Sequence, residues 1–121
     1  MNNPGQAHRI TLEPNPKRVL VTFGGRTIAD TTRAIALREG KMPTVLYIPR
    51  EDADMSLLER TTHASHCPYK GDAAYYSIRA DGRTAENAVW TYEAPYAAVS
   101  AIKDYLAFYP DRVDGIDERP A

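Results

Sequence analysis

The chain has 121 residues, 43% of them hydrophobic and 26% charged, with 15 basic residues against 16 acidic ones and a net charge of −1. That length suits one domain with one core, and the balanced charge, with no cluster of Lys or Arg, argues against a nucleic-acid partner, whose phosphates need such clusters. A single cysteine excludes an intramolecular disulfide and a CxxC metal knuckle, so a reducing compartment, the cytoplasm, is expected.

The stretch Met1-Asn2-Asn3-Pro4-Gly5-Gln6 lacks the apolar core of a secretory signal. No run of about eighteen apolar residues offers a membrane span, so the chain is expected to be neither exported nor embedded. Nine prolines and seven glycines point to many turns, which suits short strands better than long helices. The expected organisation is a flexible tail over residues 1–7, a single domain over residues 8–114 and a C-terminal tail over residues 115–121.

In chain order, an edge strand is predicted around Arg9 to Leu12, followed by a stiff joint between Pro14 and Pro16. Arg18 to Phe23 alternates Val19, Val21 and Phe23 onto one face. Gly24-Gly25 then supplies two positions tolerant of positive φ, which predicts a tight hairpin returning over Arg26 to Asp30. Thr31 to Leu37 is rich in small and β-branched residues, and Glu39-Gly40-Lys41-Met42-Pro43 breaks the pattern before a strand over Thr44 to Ile48 that ends at Pro49. Asp52 is expected to cap a short helical turn over Asp54 to Leu58 through its carboxylate. Thr61 to His66 reads as a polar loop. Tyr75 to Ala80 reads as a strand turned by Asp81-Gly82, with Glu86 to Tyr92 as its antiparallel return. Val99, Ile102 and Leu106 recur at helical spacing, which predicts a short helix whose second half, residues 103–109, could equally be a closing strand. The fold class is mainly β, antiparallel, with one or two short helices.

Reactive side chains concentrate between His63 and Asp72. Positive charge from His66 and Lys70 would favour a Cys67 thiolate, so one reading is an enzyme with Cys67 as nucleophile, His63 or His66 as base and Asp72 orienting the base. The other reading of Cys67 is a buried small hydrophobe. His63, His66 and Cys67 are poorly spread for structural zinc, which takes four ligands at characteristic spacings, so neither a metal nor another cofactor is expected. Arg50, delivered by a strand that ends in Pro49, is the best anion anchor because its planar fork can hold a carboxylate or phosphate through two hydrogen bonds. It could equally pair with Glu51, Asp52 or Asp72. Tyrosine is used 8 times against 2 Phe. Tyr47, Tyr69, Tyr75, Tyr76, Trp90, Tyr92 and Tyr96 fall near both segments, and rings with polar tips suit either a small-molecule pocket or a β core.

Five segments, in order, carry a resemblance: Val21 to Asp30, Tyr47 to Asp52, Cys67 to Gly71, Ala88 to Glu93 and Ala107 to Pro110. From about His8 to Asp114 the chain resembles the domain-of-unknown-function 427 family, which sometimes bears the label nucleotidyltransferase. That chemistry takes paired acidic residues on two metal ions beside a Gly-Ser turn, whereas here Gly24-Gly25 is followed by Arg26 with only Asp30 nearby. The family also looks related to the β-tent folds, two antiparallel sheets set at an angle, whose relatives include the Yippee proteins and the thalidomide-binding domain of cereblon. The likeness implies a pocket between two sheets with Tyr47, Trp90 and Tyr92 in its wall and Cys67 and Lys70 near its mouth, without the CxxC zinc motifs of those relatives.

The function expected from these residues is binding of a small anionic or nucleotide-like ligand. Arg50 and Lys70 would be its charge partners, and Tyr47, Tyr69, Tyr75, Trp90 and Tyr92 its walls. The alternatives are a Cys67-based enzyme and a protein-interaction module, a homodimer that buries a sheet face or pairs an edge strand.

Overall fold

The computed structural model describes residues 9–121. Ten strands follow in order: β1 (Ile10–Asn15), β2 (Arg18–Phe23), β3 (Arg26–Thr31), β4 (Ala34–Glu39), β5 (Val45–Tyr47), β6 (Leu58–Cys67), β7 (Gly71–Ala80), β8 (Arg83–Tyr92), β9 (Leu106–Phe108) and β10 (Gly115–Arg119). The fold is mainly β, and its helical segments are 3-10 turns at Arg50–Asp52, Met55–Leu57 and Ala97–Ile102. The strands form three antiparallel sheets, β1-β4-β5, β10-β2-β3 and β6-β7-β8-β9, where two were expected.

The β2–β3 hairpin forms as its sequence demands. Val19, Val21 and Phe23 are buried, and Gly24 and Gly25 take φ of +60° and +75°, the pair of left-handed positions that a two-residue hairpin turn needs. The four-stranded sheet is the central layer, because alternate residues along its strands enter two different cores. Tyr76, Ile78, Val89, Leu106 and Phe108 pack with Val19, Val21 and Ile28 of the β10-β2-β3 sheet. Ala73, Tyr75, Tyr92 and Ala107 pack instead with Leu37 and Tyr47 of the β1-β4-β5 sheet and with Val99 and Ile102 from the 3-10 turn.

Several expectations are corrected. Gly115–Arg119 is no tail: it pairs with β2, with Ile116 opposite Val21. Thr61 to His66 is the middle of β6 rather than a loop, its exposure explained by β6 standing at the edge of its sheet, with an irregularity between Arg60 and Ala64. Pro14 lies inside β1, tolerated because that strand is also at an edge. Asp54, not Asp52, caps the turn at Met55–Leu57 by accepting from the Ser56 amide at 3.1 Å. Asp52 instead accepts from Thr31 Oγ1 at 2.7 Å and pairs with Arg33. Between Pro95 and Pro110, a 3-10 turn covers residues 97–102 and β9 takes residues 106–108, so the closing strand wins the second half. The tail expected over residues 1–7 lies outside the described residues.

Gly24 and Gly25 separate two costs. A Cβ on Gly24 would sit 2.8 Å from the Ala80 carbonyl oxygen, whereas one on Gly25 meets nothing within 4 Å. Gly25→Ala is expected to lose about 1 kcal/mol, from positive φ alone, and Gly24→Ala about 2–3 kcal/mol. Urea unfolding of the two variants measures the difference.

Candidate functional site

Strands β5 and β9 meet at one point. Ile48 and Leu106 exchange two backbone hydrogen bonds of 2.8 Å, the isolated bridge that joins the β1-β4-β5 ladder to the central sheet. Pairing stops there. Pro43 precedes β5 and Pro110 follows β9, and neither has an N–H to extend a ladder. Tyr109, between β9 and Pro110, donates its amide to Ala88 on the opposite side.

Where the two strands fail to zip lies a cavity of about 460 Å³. Val45 and Leu46 line one side, Phe108 and Pro110 the other, and Val21 and Ile116 reach it from the β10-β2-β3 sheet. Ile48 and Trp90 also contribute, and Met42, Pro43 and Thr44 form the loop side. Met42 is 63% exposed. Among the described residues no charged side chain lines the cavity, and its size falls in the range of small-molecule sites. A larger concavity of about 720 Å³ over β6 to β8 is lined by charged and polar groups including Glu59, His63, Arg79 and Glu86, and Arg79 is already paired with Glu59.

Of the residues singled out from sequence, Trp90 lines this groove. Its indole N–H donates to the Tyr47 hydroxyl at 3.3 Å, its ring meets Tyr47 edge-on at 6.3 Å, and Tyr109 packs on it at 4.5 Å. Tyr47 and Tyr92 are core residues, 1% and 5% exposed, so they support Trp90 from behind rather than form a wall. Burial pushes both phenols above their ordinary pKa. Tyr75 is also buried, with its hydroxyl 2.8 Å from Ser65 Oγ and 3.4 Å from the Tyr109 hydroxyl. Tyr69 is exposed in the turn after β6.

The two expected charge partners are committed elsewhere. Arg50 donates through Nε to the Asp104 carbonyl at 3.1 Å, through Nη1 to the Tyr76 hydroxyl at 2.9 Å and through Nη2 to Thr91 Oγ1 at 3.3 Å. Lys70 is buried, its ammonium 2.7 Å from Glu39 in a pair that links the β6–β7 turn to β4. Both residues hold the frame together.

The thiol constellation is dispersed as well. Cys67 is half-buried against the second core, and its thiol has no hydrogen-bond partner among the described residues. His66, one residue earlier and so on the opposite face of β6, gives Nδ1 to Asp72 at 2.6 Å, and His63 packs edge-on against Tyr75 at 4.4 Å. Asp30, the acidic residue nearest the glycine turn, is held by Arg18 through two bonds of 2.9 and 2.7 Å, which depress its pKa. Among the described residues no group of three His, Cys, Asp or Glu side chains could hold a metal ion.

Val21, Leu46, Phe108, Pro110 and Ile116 carry neither charge nor a polar ring tip, so their residue types alone do not mark them as lining a site. The available signal was two short apolar runs, Val45 to Ile48 and Leu106 to Phe108, each with a proline at the end where pairing fails. The sequence pattern of a family described as a domain of unknown function (DUF427) matches residues 11–119. No curated protein matches the chain.

Lys70→Met leaves the largely buried Glu39 carboxylate unpaired and is expected to cost about 3 kcal/mol, while adding Glu39→Leu restores most of it; a double-mutant unfolding cycle checks this. Tyr109 has its pKa pushed up to about 12 by burial and by the hydrogen bond with Tyr75, against an ordinary 10.0. The unfolded chain therefore ionises first as pH rises, so this contribution to stability is complete below pH 10 and is lost between pH 10 and 12. Unfolding measured across that window should show the decline, and Tyr109→Phe should make it shallower, leaving the part that the raised Tyr47 and Tyr92 phenols contribute.

Proposed function

Because the chain belongs to the DUF427 family, whose description assigns no activity, we propose its function from the groove itself: the protein binds a small, uncharged and largely apolar molecule between β5 and β9, against Trp90. The single observation that carries this reading is the cavity of about 460 Å³, walled by apolar side chains from all three sheets. An apolar surface of this kind gains free energy when a ligand displaces its water. The absence of a charged lining residue replaces the expected anionic ligand with a neutral one, since Arg50 and Lys70 are occupied. Met42, unbranched and exposed at the loop side, can adjust to ligands of different shape.

Trp90 is the one tryptophan of the chain, so its emission is a built-in reporter. Titration with a neutral aromatic probe such as naphthalene or indole is expected to change Trp90 fluorescence saturably and to raise the melting temperature. The stabilisation should be about 2.7 kcal/mol at a hundredfold excess over Kd. Thr44→Phe, which fills the groove from its exposed side, should abolish both responses while leaving the protein folded. Unchanged emission and melting temperature at probe saturation would refute the reading.

A further inference from the structure

In an antiparallel ladder, successive residues turn their N–H and C=O alternately toward one neighbouring strand and the other. Ile48 turns both groups to Leu106, so Tyr47 faces β4 and Leu46 faces the seam again. On the other side Leu106 turns to Ile48, Ala107 turns to Trp90 on β8, and Phe108 faces the seam. The Tyr109 amide, donated to Ala88 at 2.9 Å, keeps this alternation. Leu46 and Phe108 would therefore form the next rung. They do not, because the pairing of β5 with β9 ends at the single Ile48–Leu106 bridge.

The consequence is a polar feature inside an apolar groove. By that alternation the Leu46 N–H and the Phe108 C=O turn toward the seam beside the cavity that both residues line, and no bridge follows the one at Ile48 and Leu106. Phe108 is 4% exposed, so its carbonyl is poorly placed to be satisfied by bulk water. The side chains around them offer little: Trp90 has given its N–H to Tyr47, and Thr44 carries the one remaining polar side chain of the lining.

Resting on the reading of the groove as a small-molecule site, we propose that its ligand class is an apolar molecule bearing a secondary amide. The amide carbonyl accepts from the Leu46 N–H and the amide N–H donates to the Phe108 C=O, replacing the absent rung, while the apolar body lies against Trp90, Leu46 and Ile116. A donor and an acceptor on one planar group is what bridging the absent bond from the Leu46 N–H to the Phe108 C=O requires. An ester or a tertiary amide supplies the acceptor alone.

The test is a matched series on the full chain: N-benzylacetamide, benzyl acetate and N-benzyl-N-methylacetamide. Each is titrated by Trp90 emission and by amide NMR. The secondary amide is expected to bind about three- to tenfold tighter than the other two, the scale of one hydrogen bond gained without a competing loss. With it alone, the Phe108 carbonyl carbon should shift as it accepts the ligand's N–H. The Leu46 amide proton should move downfield and exchange more slowly with solvent. Equal affinities for the three probes, with Leu46 and Phe108 resonances unmoved, would overturn the amide class and leave the apolar groove standing. No response of Trp90 to any of them would overturn both.

Discussion

The structure turns on one isolated backbone bridge. Between Ile48 and Leu106, two hydrogen bonds of 2.8 Å join a three-stranded ladder to the four-stranded central sheet. A longer ladder would have closed the seam and buried Leu46 against Phe108. No bridge at all would have left the two ladders joined by side-chain contacts alone. A single rung fixes the strands at one end and lets them diverge at the other, which is how a small all-β chain acquires an apolar cavity without opening its core.

Such a junction needs support, and the residues that looked most like binding groups supply it. Arg50 follows directly on Pro49 and reaches the Asp104 carbonyl, Tyr76 and Thr91, so one guanidinium ties the 3-10 turn after the bridge to the turn before β9 and to β7 and β8. Its partners are neutral oxygens, and the rigid fork suits three such acceptors in different directions. Lys70 and Glu39 do the same at the far end of β4 with a largely buried pair. Such a pair is weak evidence for net stability, but either partner left alone would be costly.

The aromatic residues divide by depth. Tyr47, Tyr75 and Tyr92 are in the second core, where the Tyr47 hydroxyl meets Trp90 and the Tyr75 hydroxyl meets Ser65 and Tyr109, while Trp90 presents its remaining surface to the groove. The excess of tyrosine over phenylalanine thus has a structural cause. A core between two sheets that reaches the half-buried Trp90 indole and, at its rim, the exposed Ser65 needs rings that can hydrogen-bond at their tips. The hydroxyl network holds the Trp90 ring in place from behind.

The sequence by itself determined the local units. Alternation of Val19, Val21 and Phe23 and the Gly24-Gly25 turn fixed the first hairpin, and Asp81-Gly82 fixed the second, because strand period and positive φ are properties of neighbours along the chain. Mainly β character, and the five ordered segments that mark the family, were legible for the same reason. What only the tertiary structure decided was which groups meet at long range. The pairing of residues 115–119 with β2, the edge position that makes strand out of Thr61 to His66, the capture of Arg50 and Lys70, and the seam between Leu46 and Phe108 all join residues far apart in sequence. A charged side chain advertises its chemistry in the sequence but not its partner. A missing rung between two strands advertises nothing, since it is an absence created by how two ladders meet.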